Sequence, residues 1–342
     1  MLRALLNACE ISFTFETVTP TLVKEGRYEQ GNLAIFHCHD SETEMNRKVR
    51  NGKLTELGIF IPGSSLRGVF RSHMERIARI LSPTNPIVCN PFVEEEKADG
   101  SPGAGEPGCS SLKKDYAGSC PTCRIFGSTS QAGRISFENA EPLQGHRWSV
   151  EKSAQIAIDR FAGSVRQGPF ELMLVTNARF STKVRLRNFE LWQLGLLGYV
   201  FRDLSQTKAD RNGKESPDPR IQIGMGRNLD RGRIYAKSED VAVQVVYYGR
   251  SRDLPQDGSV RGLYELTDDT AQARYRFVSR EDRLGLSGLL ELEAVDGEPG
   301  DIEHRFRVTN VTDLWKAATK VWNEAVDAGA FPGRMKTRAG GD

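Results

Sequence analysis

Four of the six cysteines, Cys89, Cys109, Cys120 and Cys123, follow one another with the spacing Cys-x19-Cys-x10-Cys-x2-Cys. Four thiolates are the complement of a closed tetrahedral zinc site, with Cys120-Pro121-Thr122-Cys123 as its knuckle. A Cys-x-x-Cys pair can also be a redox couple, but no strand-then-helix pattern of a thioredoxin surrounds this one. Structural zinc is therefore the expectation and unligated thiols the bland reading. His37 or Cys38 is an alternative to Cys89 as a ligand. A closed shell leaves no position for an activated water, and none of the five histidines stands in a His-x-x-x-His pair. A free-standing zinc hydrolase is disfavoured on both grounds.

Two further groups have the chemistry of anion binding. Residues 58–68 read Gly-Ile-Phe-Ile-Pro-Gly-Ser-Ser-Leu-Arg-Gly. An apolar run stops at a Pro-Gly turn, and Ser64 and Ser65 offer side-chain oxygens suited to an N-cap. Arg67 and Arg71, four apart, share one face near the helix start. Free N–H groups and partial positive charge at a helix N-terminus, with two arginines beside it, make a phosphate site. The bland alternative is a capped surface helix with solvated arginines. Residues 224–234 then set Arg227, Arg231 and Arg233 among three glycines. The third glycine is misplaced for a dinucleotide fingerprint. Glycine lets the backbone approach a ligand and arginine clamps phosphate, against the alternative of a turn with surface arginines. Asp40, with Glu42 and Glu44 close by, lies in the polar stretch 20–56, which reads as a long loop with room for a hairpin. Such carboxylates either hold a divalent ion such as magnesium or are simply solvated.

In order along the chain, these strings resemble the RAMP superfamily, the repeat-associated proteins of CRISPR effector complexes. The resemblance is carried by Ile-Pro-Gly-Ser-Ser-Leu-Arg-Gly at 61–68 and Cys-Pro-Thr-Cys-Arg-Ile-Phe-Gly at 120–127. Gly-Arg-Ile-Ser-Phe-Glu-Asn-Ala at 133–140, Ile158-Asp159-Arg160 and the glycine-rich stretch complete it. Among RAMP proteins the chain looks most like the Cas-seven-type backbone subunits of type III and type IV complexes.

The resemblance covers roughly residues 10–236. It implies an α+β fold with a ferredoxin-like, RRM-like core over 1–236. It also implies a zinc-binding insertion at 82–125, a thumb hairpin at about 155–175, and a C-terminal extension, 237–342, packed on the core. Guide RNA (crRNA) would run along Ser64, Ser65, Arg67, Arg71, Arg160, Arg227, Arg231 and Arg233. The implied partners are complementary target nucleic acid, further copies of the chain in a helical filament, and other effector subunits. Type III relatives cut target RNA with an aspartate late in the loop before the signature helix. Here that neighbourhood reads Asn46-Arg47-Lys48, and Asp40 lies several residues earlier. The expectation is binding without cutting. The alternative is a metal-dependent endoribonuclease with Asp40 as its acid.

The elements that must position these groups follow from periodicity. Residues 10–19 alternate apolar and polar as a half-buried strand. From Leu66 the apolar stripe Leu66, Val69, Phe70, Ile77, Ile80 and Leu81, with His73 on the same face, predicts a helix over 65–81. Residues 133–140 predict another strand, and 155–160 with 169–176 two arms of a hairpin. Residues 189–204 are apolar nearly all round, a buried helix. Strands are expected at 241–248 and 288–294, and an amphipathic helix at 313–327. Net charge is only +2, but residues 46–81 hold eight Lys/Arg against two Glu, a patch suited to a phosphate backbone. No apolar run approaches the ~20 residues that span a bilayer, so a cytoplasmic protein is expected.

Overall fold

The computed structural model describes residues 4–26, 33–83, 87–89, 108–110, 114–158, 161–249, 258–278, 282–285, 292–295 and 302–331. The first strand, β1 (Asn7–Thr17), is rich in β-branched and aromatic residues and alternates as expected. Cys9, Ile11, Phe13 and Phe15 are buried on one face, while Ser12 is exposed on the other.

Helix α1 (Glu42–Arg50) comes next, preceded by a two-residue strand β2 (Leu33–Ala34), and then the long helix α2 (Gly63–Leu81). A short helix α3 (Pro121–Phe126) leads to β3 (Ile135–Phe137), the hairpin of β4 (Ser149–Ile158) and β5 (Val165–Thr176), and β6 (Arg179–Arg187). Helix α4 (Leu191–Leu204), β7 (Val241–Tyr248), α5 (Asp269–Tyr275), β8 (Leu292–Val295), β9 (Glu303–Val308) and α6 (Val311–Asp327) follow.

The main sheet runs β8-β9-β7-β1-β6-β3, and every neighbouring pair is antiparallel. The last four in that order interleave two units, β1-α2-β3 and β6-α4-β7, so that each helix returns the chain across a strand of the other unit. Helices α2 and α4 lie on the face where Phe13 meets Phe70 and Phe201. Helix α6 packs on α4, with Trp322 against Trp192 and Trp315 stacked on Phe201. Residues beyond 236 thus supply both an inner strand and a covering helix. A second, smaller sheet, β2-β5-β4, carries the hairpin.

Several expectations are corrected. Helix α2 begins at Gly63, with Pro62 as its N-cap and no side chain capping it from that position. Ser64 and Ser65 are therefore inside the first turn and are not the cap. Gly63 is required there because a Cβ would meet the Phe137 carbonyl oxygen at 2.3 Å. The Gly63 N–H is satisfied instead by Asn139 Oδ1, at 3.0 Å. Ile80 and Leu81 are exposed at the last turn, and Met74 and Ala78 complete the buried stripe.

The stretch 20–56 contains a real helix, α1, which periodicity missed because Met45 alone among its residues is buried. Its signals are electrostatic: Ser41 accepts from the Glu44 N–H, Glu42 and Glu44 fill the first turn, and Arg47, Lys48 and Arg50 the last. The charged loop 206–220 closes as a small hairpin, Thr207–Ala209 with Glu215–Pro217. No helix among the described residues is long and apolar enough to cross a membrane.

Gly63→Ala should cost on the order of 2 kcal/mol, because α2 must retreat from β3. Gly68→Ala, with nothing within 4 Å of its added carbon, should gain about 0.5–1 kcal/mol; urea unfolding of both variants tests the contrast.

A buried pair, His73 Nε2 to Asp203 Oδ2 at 2.7 Å, ties α2 to α4, and Arg202 donates twice to Asp203 Oδ1. Burial raises the Asp203 pKa, but the hydrogen bonds from His73 and Arg202 outweigh it and hold the carboxyl below its ordinary value. A depressed acid contributes stability above its unfolded pKa, near ~3.9, and loses it as pH falls through the folded value. Asp203→Asn should therefore lower stability at neutral pH and flatten its acid limb, as read by thermal melts across pH.

Candidate nucleic-acid interface

The docked start of α2 leaves Ser64 exposed and Ser65 half-buried beside the helix N-terminus. Further along, at Arg67, Arg71, Glu75 and Arg79, a stripe at i+4 spacing faces the cysteine segment. Arg67 Nη2 donates to the Phe126 carbonyl. Arg71 donates from Nε to Glu75 Oε1 at 3.0 Å, from Nη1 to the Gly127 carbonyl and from Nη2 to Cys123 Sγ, the last two at 3.4 Å. Arg79 reaches the Cys89 carbonyl at 3.4 Å. Both arginines singled out in the sequence therefore direct donors into the protein, clamping α2 to α3.

Cys89, Cys109, Cys120 and Cys123 are all buried, and their sulfurs lie within 4.8 Å of one another. Cys120 to Cys89 is 3.6 Å and Cys89 to Cys123 is 3.7 Å, and none forms a disulfide. A tetrahedron with metal–sulfur bonds of ~2.3 Å has sulfur–sulfur edges of about 3.8 Å, so the group fits a tetrahedral ion. The Cys120 amide donates to Cys109 Sγ at 3.3 Å, support of the kind that stabilises thiolate ligands. These four residues can hold a metal ion. Cys38 is bridged to Ile59 in the main core and His37 pairs with Glu25 at 3.3 Å, so the set that assembles is the four-cysteine one.

The glycine-rich stretch folds back beside β1 through the pairing of Ile234–Tyr235 with Glu16 and Thr17. Gly232 takes φ +76°, and a Cβ there would meet the Ile223 carbonyl oxygen at 1.9 Å. Its three arginines do different things. Arg231 Nη2 donates to Ser153 Oγ at 3.0 Å, pinning the loop to β4 of the hairpin. Arg233 is held by Asp230 and Asp218, at 2.6 and 2.9 Å. Arg227 is exposed and has no side-chain partner among the described residues. Across from it stand Arg76 of α2 and Arg220, both exposed, and the four arginines with Asp218 and Asp230 line an open cleft of about 570 Å³. Sequence reasoning missed Arg76 and Arg220. Each is an isolated arginine in the chain, and only the approach of α2 to the loop makes them a group.

Two other sites take definite places. Asp40 is buried, accepting from Lys48 Nζ and, at 2.7 Å, from the Gly58 N–H; Lys48 also donates to the Glu56 carbonyl at 2.7 Å. Burial raises the Asp40 pKa, but Lys48 and the Gly58 amide outweigh it and hold it below the ordinary value. The pair closes the loop around α1. Lys48, in the run read as phosphate-holding, is spent on that closure. Arg160 lies outside the described residues. Beside it, the hairpin carries Ile156, Phe161 and Val165, all exposed.

A family model for the RAMP superfamily matches residues 14–235, from within β1 through the glycine-rich loop. The chain belongs to the RAMP superfamily. Among curated proteins none matches it. RAMP membership suggests a CRISPR-associated RNA-binding subunit, with CRISPR RNA and effector-complex partners in general. The matched span holds every described residue singled out for anion or metal binding, so those residues belong to the RAMP portion of the chain.

Metal analysis should find a single divalent ion per chain. Cys123→Ser should lose it and lower the thermal midpoint, because the same sulfur receives Arg71 and joins α2 to α3.

Proposed function

We propose that this RAMP protein is a guide-RNA-binding backbone subunit of a CRISPR effector complex, of type III or type IV, which presents crRNA for pairing with a complementary target. Further copies in a helical filament and other effector subunits would be its partners in the cytoplasm. The observation that carries the reading is the cleft where Arg76 and Arg220 meet Arg227 and Arg233. Four cations against two acids, beside a loop whose glycines allow close backbone approach, suit a phosphate chain and read no base.

Ser64 and Ser65, at the N-terminus of α2, extend this track. Arg67 and Arg71 serve it by holding α2 on the cysteine segment, and Arg231 by holding the loop on the hairpin. The antiparallel order β7-β1-β6-β3 with α2 and α4 on one face supports a ferredoxin-like, RRM-like core; its fourth strand, β7, comes from beyond the expected boundary at 236, and α6 of the extension 237–342 packs on it. The cysteine-bearing insertion at 82–125 would hold zinc, the usual guest of four thiolates. The hairpin would act as the thumb, with Phe161, fully exposed, as its wedge between bases. Arg160, which precedes Phe161 in the sequence, would reach the RNA backbone.

Asp40, held by Lys48 and Gly58, belongs to the loop's closure in this reading, and the subunit binds target without cutting it. The double variant Arg76→Glu/Arg227→Glu should weaken binding of all single-stranded RNAs alike, with the salt slope falling by roughly 0.7 for each phosphate no longer neutralised. Weakening confined to one sequence would count against the cleft. Labelled target RNA incubated with magnesium should stay intact on the assembled complex. Regular cleavage abolished by Asp40→Ala would instead make the chain an endoribonuclease.

A further inference from the structure

The face of the main sheet turned away from α2 and α4 has its own chemistry. Along β6, alternation puts Arg179, Lys183, Arg185 and Arg187 on that face, and β9 adds Arg305 and Arg307. In the middle of it Glu10 of β1, buried, receives Arg185 on one side and Arg305 Nη1, at 3.0 Å, on the other. Both arginine–carboxylate bonds fix a guanidinium that would otherwise lose side-chain entropy on meeting a ligand, so the site is organised in advance. Lys183 and Arg187 flank them and have no carboxylate partner among the described residues. These four cations, with Ser136, Glu10 and Glu138, line a polar cleft of about 230 Å³. Glu10 is already shared between two arginines and Arg305 also meets Glu303, which leaves Glu138 as the exposed acid lining the cleft without a cation of its own among the described residues.

Two observations decide what such a face meets. Protein interfaces need apolar anchors at their centre. Here the centre is Ser12, Ser136, Ser181 and Ala242, all exposed, and none of the large exposed hydrophobics among the described residues sits on this face of the strands. Cations without anchors on an open surface fit a flexible polyanion. The second observation is position. The cleft at the glycine-rich loop joins β1 at Glu16 and Thr17, whereas the Lys183–Arg187 patch lies beside residues 8–12 at the other end of β1. Six or so residues of strand separate them, roughly 20 Å.

We propose that the open sheet face around Lys183, Arg185, Arg187 and Arg305 is a second binding surface for the phosphate backbone of a single-stranded nucleic acid, distinct from the cleft between α2 and the glycine-rich loop. It extends the proposed function from one strand segment to two but rests on separate residues, so each can fail alone. The backbone would be gripped by Lys183 and Arg187, while Glu10 keeps Arg185 and Arg305 aimed at it. No base is read, since the face offers charge and hydroxyls without a pocket for a base edge.

The test uses the full chain, a fluorescent oligouridylate and salt titrations. Lys183→Glu/Arg187→Glu leaves the Glu10 pairs untouched and should keep the wild-type melting temperature. Binding should weaken about tenfold, the salt slope should fall by roughly 0.7 for each phosphate no longer neutralised, and Arg76→Glu/Arg227→Glu should add its own weakening on top. Unchanged affinity and slope in Lys183→Glu/Arg187→Glu would overturn the proposal. So would a change in self-association by sedimentation with RNA binding intact, which would make the face a protein interface. If the sheet variant loses RNA and the Arg76/Arg227 variant does not, the second surface stands and the cleft of the proposed function falls.

Discussion

The seating of α2 on β3 is the contact on which the candidate interface depends. A helix begins with N–H groups that have no partner inside it, and burying that end leaves few ways to satisfy them. Here Asn139 reaches over from just beyond β3 to accept from Gly63, and Gly63 has no side chain to hold the Phe137 carbonyl away. Both residues belong to strings that are far apart in the chain, Ile-Pro-Gly-Ser-Ser and Gly-Arg-Ile-Ser-Phe-Glu-Asn. Once that end is fixed, so is the rotation of the helix. Leu66, Phe70 and Ile77 face the sheet, Arg67, Arg71 and Arg79 face the cysteines, and Arg76 faces the glycine-rich loop.

Charge is then sorted by burial. Three of the enclosed carboxylates are paired with cations: Asp40 with Lys48, Asp203 with His73 and Arg202, Glu10 with Arg185 and Arg305. Removing water from an unpaired charge costs several kcal/mol, so these pairs are conditions of the fold before they are anything else. Among the arginines left to solvent, Arg76, Arg220 and Arg227 line the cleft beside the glycine-rich loop and Arg187 lies on the sheet face. The distinction matters for function, because a residue already bonded to its own chain has fewer donors to give a ligand. Arg71 and Arg233 are of the first kind. Both were singled out from sequence for the second.

The metal-binding group occupies an intermediate position. The cysteines form a buried cluster of their own apart from the main core. An ion in that group would add to the cohesion of its segment. Through Arg71 and Arg67 the cohesion would pass to α2, and from α2 to the cleft.

The sequence by itself determined the element types with strong periodicity: β1, α2, the all-round apolar α4, β7 and α6. It also determined the four cysteines as a group, because ligand chemistry depends on residue type and few alternatives were present. Helix α1 was legible only in its caps and charge ends, since a helix with one buried residue has almost no apolar period. What tertiary structure alone decided is which polar groups meet. Nothing in the spacing of Ser64 and Ser65 says that Asn139, 76 positions beyond Gly63, takes the capping role. Arg67 and Arg71 read as ligands because a helix start and a positive charge suffice for that locally, whereas the carbonyls of Phe126 and Gly127 that receive them arrive from another segment. Arg76 and Arg220 read as nothing in particular until the glycine-rich loop is folded beside α2. Hydrophobic period is a property of neighbours along the chain, but a hydrogen-bond partner or an electrostatic cleft is a property of neighbours in space.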